Sequence, residues 1–362
     1  MADRVTSVAT GQQRDDLAAR VERALEELIA EQRHALVDLG ADVDALVDAA
    51  AAAVSGGKRL RPAFCYWAWR AAGAPDDDRI IVAASGLELL HASALVHDDV
   101  MDASDLRRGH PSSHRAFAEL HRDSHLTGSP DLFGVGAAIL LGDLLLTWSG
   151  RQLRASGLPP DAITRALRYF DSMRTELISG QYLDLLAQAS GEDSVPRAMR
   201  VLRYKSAKYT VERPLHIGAA LAGAGQDLLT ALTSYGVPLG EAFQLRDDIL
   251  GVFGNPQVTG KPAGDDLREG KRTVLTARAM ESASPEDRAT LLAALGRPDL
   301  DAAGVAAARR AIISSGALAA VERLISRLTG AALTALDRAA IVDDEAREAL
   351  AELADAATRR EV

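Results

Sequence analysis

The chain has 362 residues, of which 48% are hydrophobic and only 4% aromatic, and its formal net charge at pH 7 is −10. This length is sufficient for one large enzyme fold, while the acidic balance argues against a nucleic-acid-binding surface, so no nucleic-acid partner is expected. The single cysteine, Cys65, excludes an internal disulfide framework and is typical of a cytoplasmic protein. No N-terminal targeting signal is predicted, and the most apolar run, residues 135–148, is interrupted by Asp143, so we expect no transmembrane segment.

Helical periodicity dominates the sequence and predicts an all-α fold. Glycines and prolines, such as Gly56-Gly57 and Pro159-Pro160, mark the breaks between helices. No long linker divides the chain, so we expect one domain over residues 13–362 after a disordered tail at residues 1–12. In chain order, the predicted helices cover about residues 13–54, 60–73, 78–103, 131–155, 159–188, 197–223, 228–253 and 271–295, with three or four shorter ones to the end.

Two acidic clusters each end a strongly apolar predicted helix. In the first, Asp98 and Asp102 are one helical turn apart and share a face, whereas Asp99 lies about 100° around the axis. The second contains Asp247 and Asp248 and precedes a glycine-rich loop. If the clusters face each other, close carboxylates repel by about 4 kcal/mol at a separation of 4 Å and an effective dielectric of 20. Such clusters need cations, and their oxygen ligands suit Mg²⁺ bridging a phosphate. We favour this interpretation over a merely solvated acidic surface.

Basic residues that could bind phosphate accompany the acidic clusters. The stretch 56–62 opens a helix, where free backbone N–H groups and the helix dipole favour an anion. Lys58 and Arg61 lie three residues apart and therefore share a face of that helix. Together, the two kinds of charge predict a site for two polyanionic substrates, one bound through metal ions and the other by cations alone. Further cations are Arg107, Arg108, Lys205, Lys261 and Lys271.

Three groups of residues resemble, in order along the chain, the motifs of the trans-isoprenyl diphosphate synthases, also called polyprenyl synthetases. Within that family the resemblance is to the geranylgeranyl diphosphate synthases. The three groups are G-G-K-R-L-R-P from Gly56, H-D-D-V-M-D with R-R-G-H-P after it from His97, and F-Q-L-R-D-D with G-K-P-A-G-D-D-L-R-E-G-K from Phe243. The resemblance implies a single helical domain around a deep central cavity. It also implies a homodimer and a prenyltransferase that joins isopentenyl diphosphate to an allylic diphosphate.

The resemblance further implies roles for individual residues. Three Mg²⁺ ions would bridge the allylic diphosphate, with Asp98, Asp102 and Asp247 as ligands and Asp99 in support; together with Arg107 and Lys205, these residues would carry catalysis. The second motif departs from the family pattern, because Gly251 and Asn255 stand where aspartates are common. The allylic diphosphate would contact Arg107, Lys205, Ser206, Gln244, Lys261 and Lys271. The isopentenyl diphosphate would contact Lys58, Arg61, His91 and Arg108.

Product length in this family depends on the residues four and five positions before the first aspartate, which here are Ala94 and Ser93. Both are small, so the resemblance implies a tunnel floor open enough for a product longer than farnesyl, with geranylgeranyl favoured. A farnesyl or longer-chain synthase remains an alternative. A class I terpene cyclase is another, although its usual (N/D)Dxx(S/T)xxxE motif is missing at Asp247. An inactive partner subunit or helical scaffold would be expected to lose the aspartates that this chain retains.

Histidines offer one further metal hypothesis. His110, His114, His121 and His125 form two H-x₃-H pairs, a spacing seen in zinc sites. Pro111 interrupts the first pair and no cysteine lies nearby, so partly exposed helix histidines are favoured over zinc. Cys65 is expected to pack as a small apolar side chain.

Overall fold

The computed structural model describes residues 2–191, 193–255 and 264–358, with side chains from residue 16 onwards. Within these residues the fold is helical except for one short ribbon of two strands, which confirms the all-α prediction. The helices are α1 (Ala2–Ala35), α2 (Asp44–Val54), α3 (Leu60–Ala71), α4 (Asp78–Met101), α5 (Ser113–Asp123), α6 (Pro130–Arg154), α7 (Pro160–Ser190), α8 (Val195–Leu202), α9 (Arg213–Leu221), α10 (Gln226–Phe253), α11 (Asp265–Arg268), α12 (Val274–Ser282), α13 (Pro285–Ala294), α14 (Ala302–Ser314), α15 (Ala317–Arg338) and α16 (Asp344–Thr358).

Four segments differ from the predicted helices, and the one predicted over about residues 271–295 is divided into α12 and α13 at Ala283 and Ser284. The segment predicted as one helix over about residues 13–54 is interrupted by two 3₁₀ turns at Val37–Leu39 and Ala41–Val43, because Gly40 between them has a positive φ of 81°. A π-helix, Arg203–Glu212, separates α8 from α9. Helix α5 and the ribbon before it, Leu106–Arg107 paired with His110–Pro111, were not predicted. Helix α1 begins at Ala2 and so extends into the predicted tail, whereas the domain boundary stays a prediction.

Helix α4 runs through the core and carries the first acidic cluster at its C-terminal end. Its N-terminus is capped by Asp77, whose side chain accepts a hydrogen bond from the backbone N–H of Arg79 (2.8 Å). The other end packs against α6, where His97 Nε2 lies 3.1 Å from the carbonyl oxygen of Ile139. A Cβ on Gly142 would overlap the His97 ring, so the absence of a side chain at this position lets the two helices approach. This packing holds the acidic cluster in place.

Helices α4 and α6 are, within the described part of the chain, the two that are long and apolar enough to cross a membrane by length and composition. In the fold, 72% of the most apolar window of α4 is buried, against 39% for α6. The expectation that no segment could span a bilayer is therefore not confirmed. The sequence-based estimate took the apolar run as residues 135–148, interrupted by Asp143, whereas α6 extends beyond both ends of that run and spans 25 residues.

Helix α10 connects two apolar clusters that make up the core. Leu232 and Leu239, in its first half, belong to the larger cluster with α3, α4 and α7. Leu245 and Ile249, in its second half, pack in a smaller cluster with α12, α14 and α15. The second acidic cluster lies on this half of α10, so its position depends on both parts of the core.

His216 on α9 is a buried histidine whose tautomer follows from its partners. Its Nδ1 lies 3.2 Å from Nη1 of Arg213, and its Nε2 lies 2.9 Å from the Thr233 hydroxyl. A guanidinium can only donate, so Nδ1 accepts and Nε2 carries the proton. Burial lowers the pKa of His216 to about 4, with Glu212 opposing the shift and Arg213 adding to it.

Acidification from pH 7 to pH 5 is expected to cost about 2 kcal/mol of folding free energy through His216. The unfolded imidazole takes up a proton below about 6.5, whereas the folded one stays neutral down to about 4, so stability is lost as the pH falls through this window. Urea unfolding of wild type and His216→Gln at both pH values measures the effect. The variant should lose about that much less, and equal losses in both proteins would contradict the assignment.

Candidate active site

A cavity of about 1070 Å³ opens between α4, α7, the π-helix and α10. Its lining brings together most of the residues that the sequence predicts for the site. Ser93, Asp99 and Asp102 do not line the cavity, and Lys261 lies outside the described residues. The predicted residues that line it are Lys58, Arg61, His91, Ala94, Asp98, Arg107, Arg108, Lys205, Ser206, Gln244, Asp247 and Lys271.

The first acidic cluster is held by cations and an amide. Asp98 Oδ1 accepts hydrogen bonds from Gln181 Nε2 (2.9 Å) and Lys205 Nζ (3.3 Å). Asp99 is buried and pairs with Arg107, whose Nε lies 3.0 Å from Oδ1. Asp102 has a different partner from Asp99, since its Oδ2 lies 3.4 Å from Lys271 Nζ. Asp99 therefore positions Arg107, whereas Asp98 and Asp102 face the lysines.

The pKa values of Asp98 and Asp102 are shifted in opposite directions. Burial alone would raise the pKa of Asp98, but the nearby Lys205 and Lys271 ammonium groups outweigh this effect. The pKa of Asp98 therefore lies below its usual range. Burial raises the pKa of Asp102 to about 6. The Lys271 ammonium opposes this shift, and the Asp98 carboxylate adds to it.

The second acidic cluster lies on α10 and faces α11. Asp248 is buried and accepts a hydrogen bond from Gln244 Nε2 (2.9 Å). Burial raises its pKa to about 8, with the Asp266 and Asp247 carboxylates adding to the shift. A Cβ on Gly251 would overlap the Asp266 carboxylate. An aspartate at position 251 would therefore require the Asp266 side chain to move.

Lys205 and Lys271 connect segments that are far apart in the sequence. Lys205 Nζ lies 2.7 Å from Asp184 Oδ2 as well as near Asp98. Lys271 Nζ lies 2.5 Å from Glu269 Oε2. Glu269 Oε1 in turn accepts a hydrogen bond from Ser104 just after α4 (3.0 Å). Sequence reasoning missed Gln181, Asp184 and Glu269; the first two are polar residues three positions apart on α7, which was the one available signal.

The carboxylates fit divalent cations, as judged from their donor chemistry and charge. Within the described residues, no group of three or more histidines, cysteines, aspartates or glutamates is drawn together as a metal site. Asp98 and Asp102 instead lie near Lys205 and Lys271. Carboxylate oxygens are hard ligands, and such ligands suit Mg²⁺. Asp98, Asp102 and Asp247 are the residues that would hold it.

The basic residues near α3 form a separate group. Arg59 has a left-handed backbone (φ 49°) and turns inward to pair with Glu88 (3.0 Å) and with Glu22. Lys58 and Arg61 on either side of it line the cavity. Arg108 Nη1 donates to the carbonyl oxygen of Ser55 (3.2 Å). The buried Arg59 thus anchors the loop whose neighbouring cations face the cavity.

Ser93 and the predicted histidine pairs do not line this cavity. Ser93 is buried, whereas its neighbour Ala94 lines the cavity. The ring of His114 lies 3.1 Å from the Ser112 hydroxyl, and that of His121 lies 3.1 Å from the carbonyl oxygen of Thr127. Each contact uses one ring nitrogen of its histidine, and within the described part of the chain no group of three or more possible metal ligands comes together.

The π-helix was not predicted, and it carries several cavity residues. Lys205 and Ser206 lie in its first half, and Tyr209 and Thr210 in its second. A Cβ on Gly180 of α7 would lie 2.5 Å from the backbone nitrogen of Lys205. A Cβ on Gly240 of α10 would lie equally close to the Ala207 carbonyl oxygen. The two glycines allow the π-helix to pack closely between two neighbours, and π-helices are frequent at functional sites.

Residues 43–312 match the family model described as polyprenyl synthetase. The chain belongs to this family. A geranylfarnesyl diphosphate synthase of Aeropyrum pernix is 32% identical and aligns over 83% of this chain and 89% of its own. A geranylgeranyl diphosphate synthase of Mycobacterium tuberculosis is 37% identical over 68% of this chain and 65% of its own.

The structure of a geranylgeranyl pyrophosphate synthase from Corynebacterium glutamicum, complexed with isoprenyl diphosphate and magnesium, superposes with a TM-score of 0.93. It is 41% identical, over 96% of this polyprenyl synthetase and 99% of that chain. The resemblance stated from the motifs is therefore confirmed, as is the expectation of a trans-prenyltransferase enzyme of isoprenoid biosynthesis.

Proposed function

We propose that this prenyltransferase condenses isopentenyl diphosphate head to tail with an allylic diphosphate, and that geranylgeranyl diphosphate is its product. The observation that carries the proposal is that aspartates from both acidic clusters and cations of both predicted diphosphate sites line one cavity. Relatives named for geranylgeranyl and geranylfarnesyl diphosphate support a product longer than farnesyl, although farnesyl diphosphate synthases are also among them.

We propose that the site binds three Mg²⁺ ions, held by Asp98, Asp102 and Asp247, as the resemblance to the family implies. When bound, magnesium would stabilise the charge that develops on the departing allylic diphosphate. Lys205 and Lys271, now paired with carboxylates, would contribute positive charge to the same diphosphate, and Arg107 would act with them. Ser206 and Gln244 line the cavity beside these groups and would hold the same diphosphate; Lys261 is assigned there from the motif alone.

The second substrate would bind to cations without metal. Lys58, Arg61 and Arg108 line the cavity and would bind the isopentenyl diphosphate, with His91 donating a hydrogen bond. Apolar side chains exclude water from the region where an allylic cation would form. The double bond of isopentenyl diphosphate then attacks this cation, and the proton lost passes to the released diphosphate. The apolar lining includes Leu177, Val201, Leu202 and Phe243.

The decisive experiment incubates the full chain with isopentenyl diphosphate, Mg²⁺ and each allylic primer in turn, and measures product length by mass spectrometry. A discrete product of twenty carbons is expected. A farnesyl product would keep the enzyme class and revise the tunnel floor. Cyclic hydrocarbon formed from an allylic diphosphate alone would overturn the proposal in favour of a terpene cyclase.

Phenylalanine at position 94 is expected to shorten the product by one isoprene unit or more. Ala94 lines the cavity, and one helical turn of about 5.4 Å is close to an extended isoprene unit, so a large ring there would block elongation. Product lengths of Ala94→Phe and Ser93→Phe, compared with wild type, separate the two predicted floor positions. Unchanged product length in both variants would place the floor elsewhere.

We also propose a homodimer in the cytoplasm. Two apolar stripes are exposed: Leu132, Ile139 and Leu140 on α6, of which Leu140 is 62% exposed, and Ile178, Tyr182 and Leu186 on α7. Exposed apolar surface of this kind marks protein interfaces. A solution mass of twice the chain, measured by light scattering, is the expected result. The buried, unpaired thiol of Cys65 is consistent with the cytoplasm.

A further inference from the structure

We infer that Tyr209 is a positioning residue that orients Arg61 and His91 toward isopentenyl diphosphate. The inference rests on the proposed function, because it assigns a role within the isopentenyl subsite. No sequence motif pointed to Tyr209, which lies in the second half of the π-helix. The π-helix places Tyr209 in contact with both Arg61 and His91.

Tyr209 contacts both residues at once. The Arg61 guanidinium carbon lies 4.3 Å from the centroid of the Tyr209 ring, within the range of a cation–π contact. The Tyr209 hydroxyl lies 2.9 Å from His91 Nδ1. Tyr209 is only 5% exposed, so both contacts form in a water-poor environment where they are strong.

The next residue completes the seat of Arg61. Nη2 of Arg61 donates to the Thr210 hydroxyl (3.1 Å). Arg61 Nε is buried and has no hydrogen-bond partner among the described residues. The guanidinium is thus held by a ring face and one hydroxyl and retains donors for an anion, since neither contact neutralises its charge.

The same contacts decide which nitrogen of His91 carries the proton. Burial and the charges of Arg61 and Arg108 lower the pKa of His91, so the imidazole is neutral. The cation over the Tyr209 ring makes its hydroxyl the better donor, so we assign the hydrogen bond as O–H donating to Nδ1. His91 Nε2 then carries the proton and donates to a diphosphate oxygen without needing a positive charge.

The π-helix separates this role from the allylic site. Lys205 and Ser206 lie one turn earlier on the same helix, and Lys205 is held by Asp98 and Asp184 rather than by Tyr209. Loss of the Tyr209 hydroxyl should therefore weaken the binding of isopentenyl diphosphate and leave the allylic primer unaffected. A general disturbance of the π-helix would weaken both.

The test compares Tyr209→Phe, Tyr209→Leu and Thr210→Val with Tyr169→Phe as a matched control. Tyr169 packs against His216 and does not line the cavity. Tyr209→Phe leaves Nδ1 of His91 unsatisfied, and we expect the KM for isopentenyl diphosphate to rise about tenfold, with kcat and the allylic KM little changed. Tyr209→Leu removes the ring beneath Arg61 as well, and a rise of about a hundredfold is expected. Thr210→Val should give a rise of a few-fold.

A second measurement is titration calorimetry of isopentenyl diphosphate without Mg²⁺, which needs no turnover. Weaker binding to Tyr209→Phe than to Tyr169→Phe supports the inference even if no primer is elongated and the proposed function fails. Equal binding to these two variants overturns it, as does a parallel rise of both KM values. A wild type that binds no isopentenyl diphosphate overturns both the inference and the proposed function.

Discussion

Replacement of Asp98 by asparagine is expected to lower turnover by about a thousandfold or more, with the helical content unchanged. Asp98 faces the cavity, and its carboxylate is kept ionised by Lys205 and Lys271. Asparagine is of similar size but neutral, so it would remove a metal-ligand charge while preserving the packing of α4. Lys205 would retain its contact with Asp184. The loss should therefore fall on kcat rather than on folding.

Steady-state kinetics and circular dichroism of Asp98→Asn, beside Asp105→Asn, measure this effect. Asp105 is an exposed aspartate that pairs with Arg115 (2.6 Å) and does not line the cavity. The control variant should keep wild-type turnover. Near-normal activity in Asp98→Asn would refute the assignment of Asp98 as a metal ligand.

Arg59→Met is expected to lower the free energy of unfolding by about 3–5 kcal/mol, the usual cost of leaving a buried charge without its partner. Arg59 and Glu88 are both buried, at 4% and 6% exposure. Glu88 Oε1 has no hydrogen-bond partner among the described residues, so the carboxylate depends on the bond from Arg59 to Oε2. Arg59 also donates to the carbonyl oxygen of Val54 (2.7 Å), which ends α2.

Urea unfolding of Arg59→Met, with Arg297→Met as the control, checks this prediction. Arg297 pairs with Asp299 at an exposed position, and its loss should change stability little. The double variant Arg59→Met, Glu88→Leu should recover much of the loss, because no buried charge then remains unpaired. A loss below about 1 kcal/mol in the single variant would show that Glu88 finds other solvation.

The loop conformation adds a functional consequence to the loss of Arg59. Lys58 and Arg61 flank a residue with a positive φ, and the ion pairs of its side chain with Glu22 and Glu88 help to hold this conformation in place. We therefore expect the KM for isopentenyl diphosphate to rise in Arg59→Met. The same assay on the double variant separates this effect from global stability.

Local signals were sufficient for much of the fold. Helical periodicity placed α4, α6, α7 and α10 within a few residues of their ends, because an amphipathic or buried helix shows its pattern in adjacent turns. Helix α5 was missed because it is short and two of the four buried residues on its inner face are histidines, His114 and His121, which weakens the apolar pattern. The π-helix was missed because its hydrogen-bond pattern depends on close packing against Gly180 and Gly240.

The sequence by itself determined the helical class, the family and many of the charged residues that line the cavity, since motifs and periodicity depend on residues close together in the chain. The tertiary structure alone decided which charges meet. Lys205 reaches Asp98 across 107 residues, and Ser104 reaches Glu269 across 165. The same holds for Tyr209 between Arg61 and His91. Such contacts arise only when helices pack, because glycine contacts and burial bring together side chains that no local pattern connects.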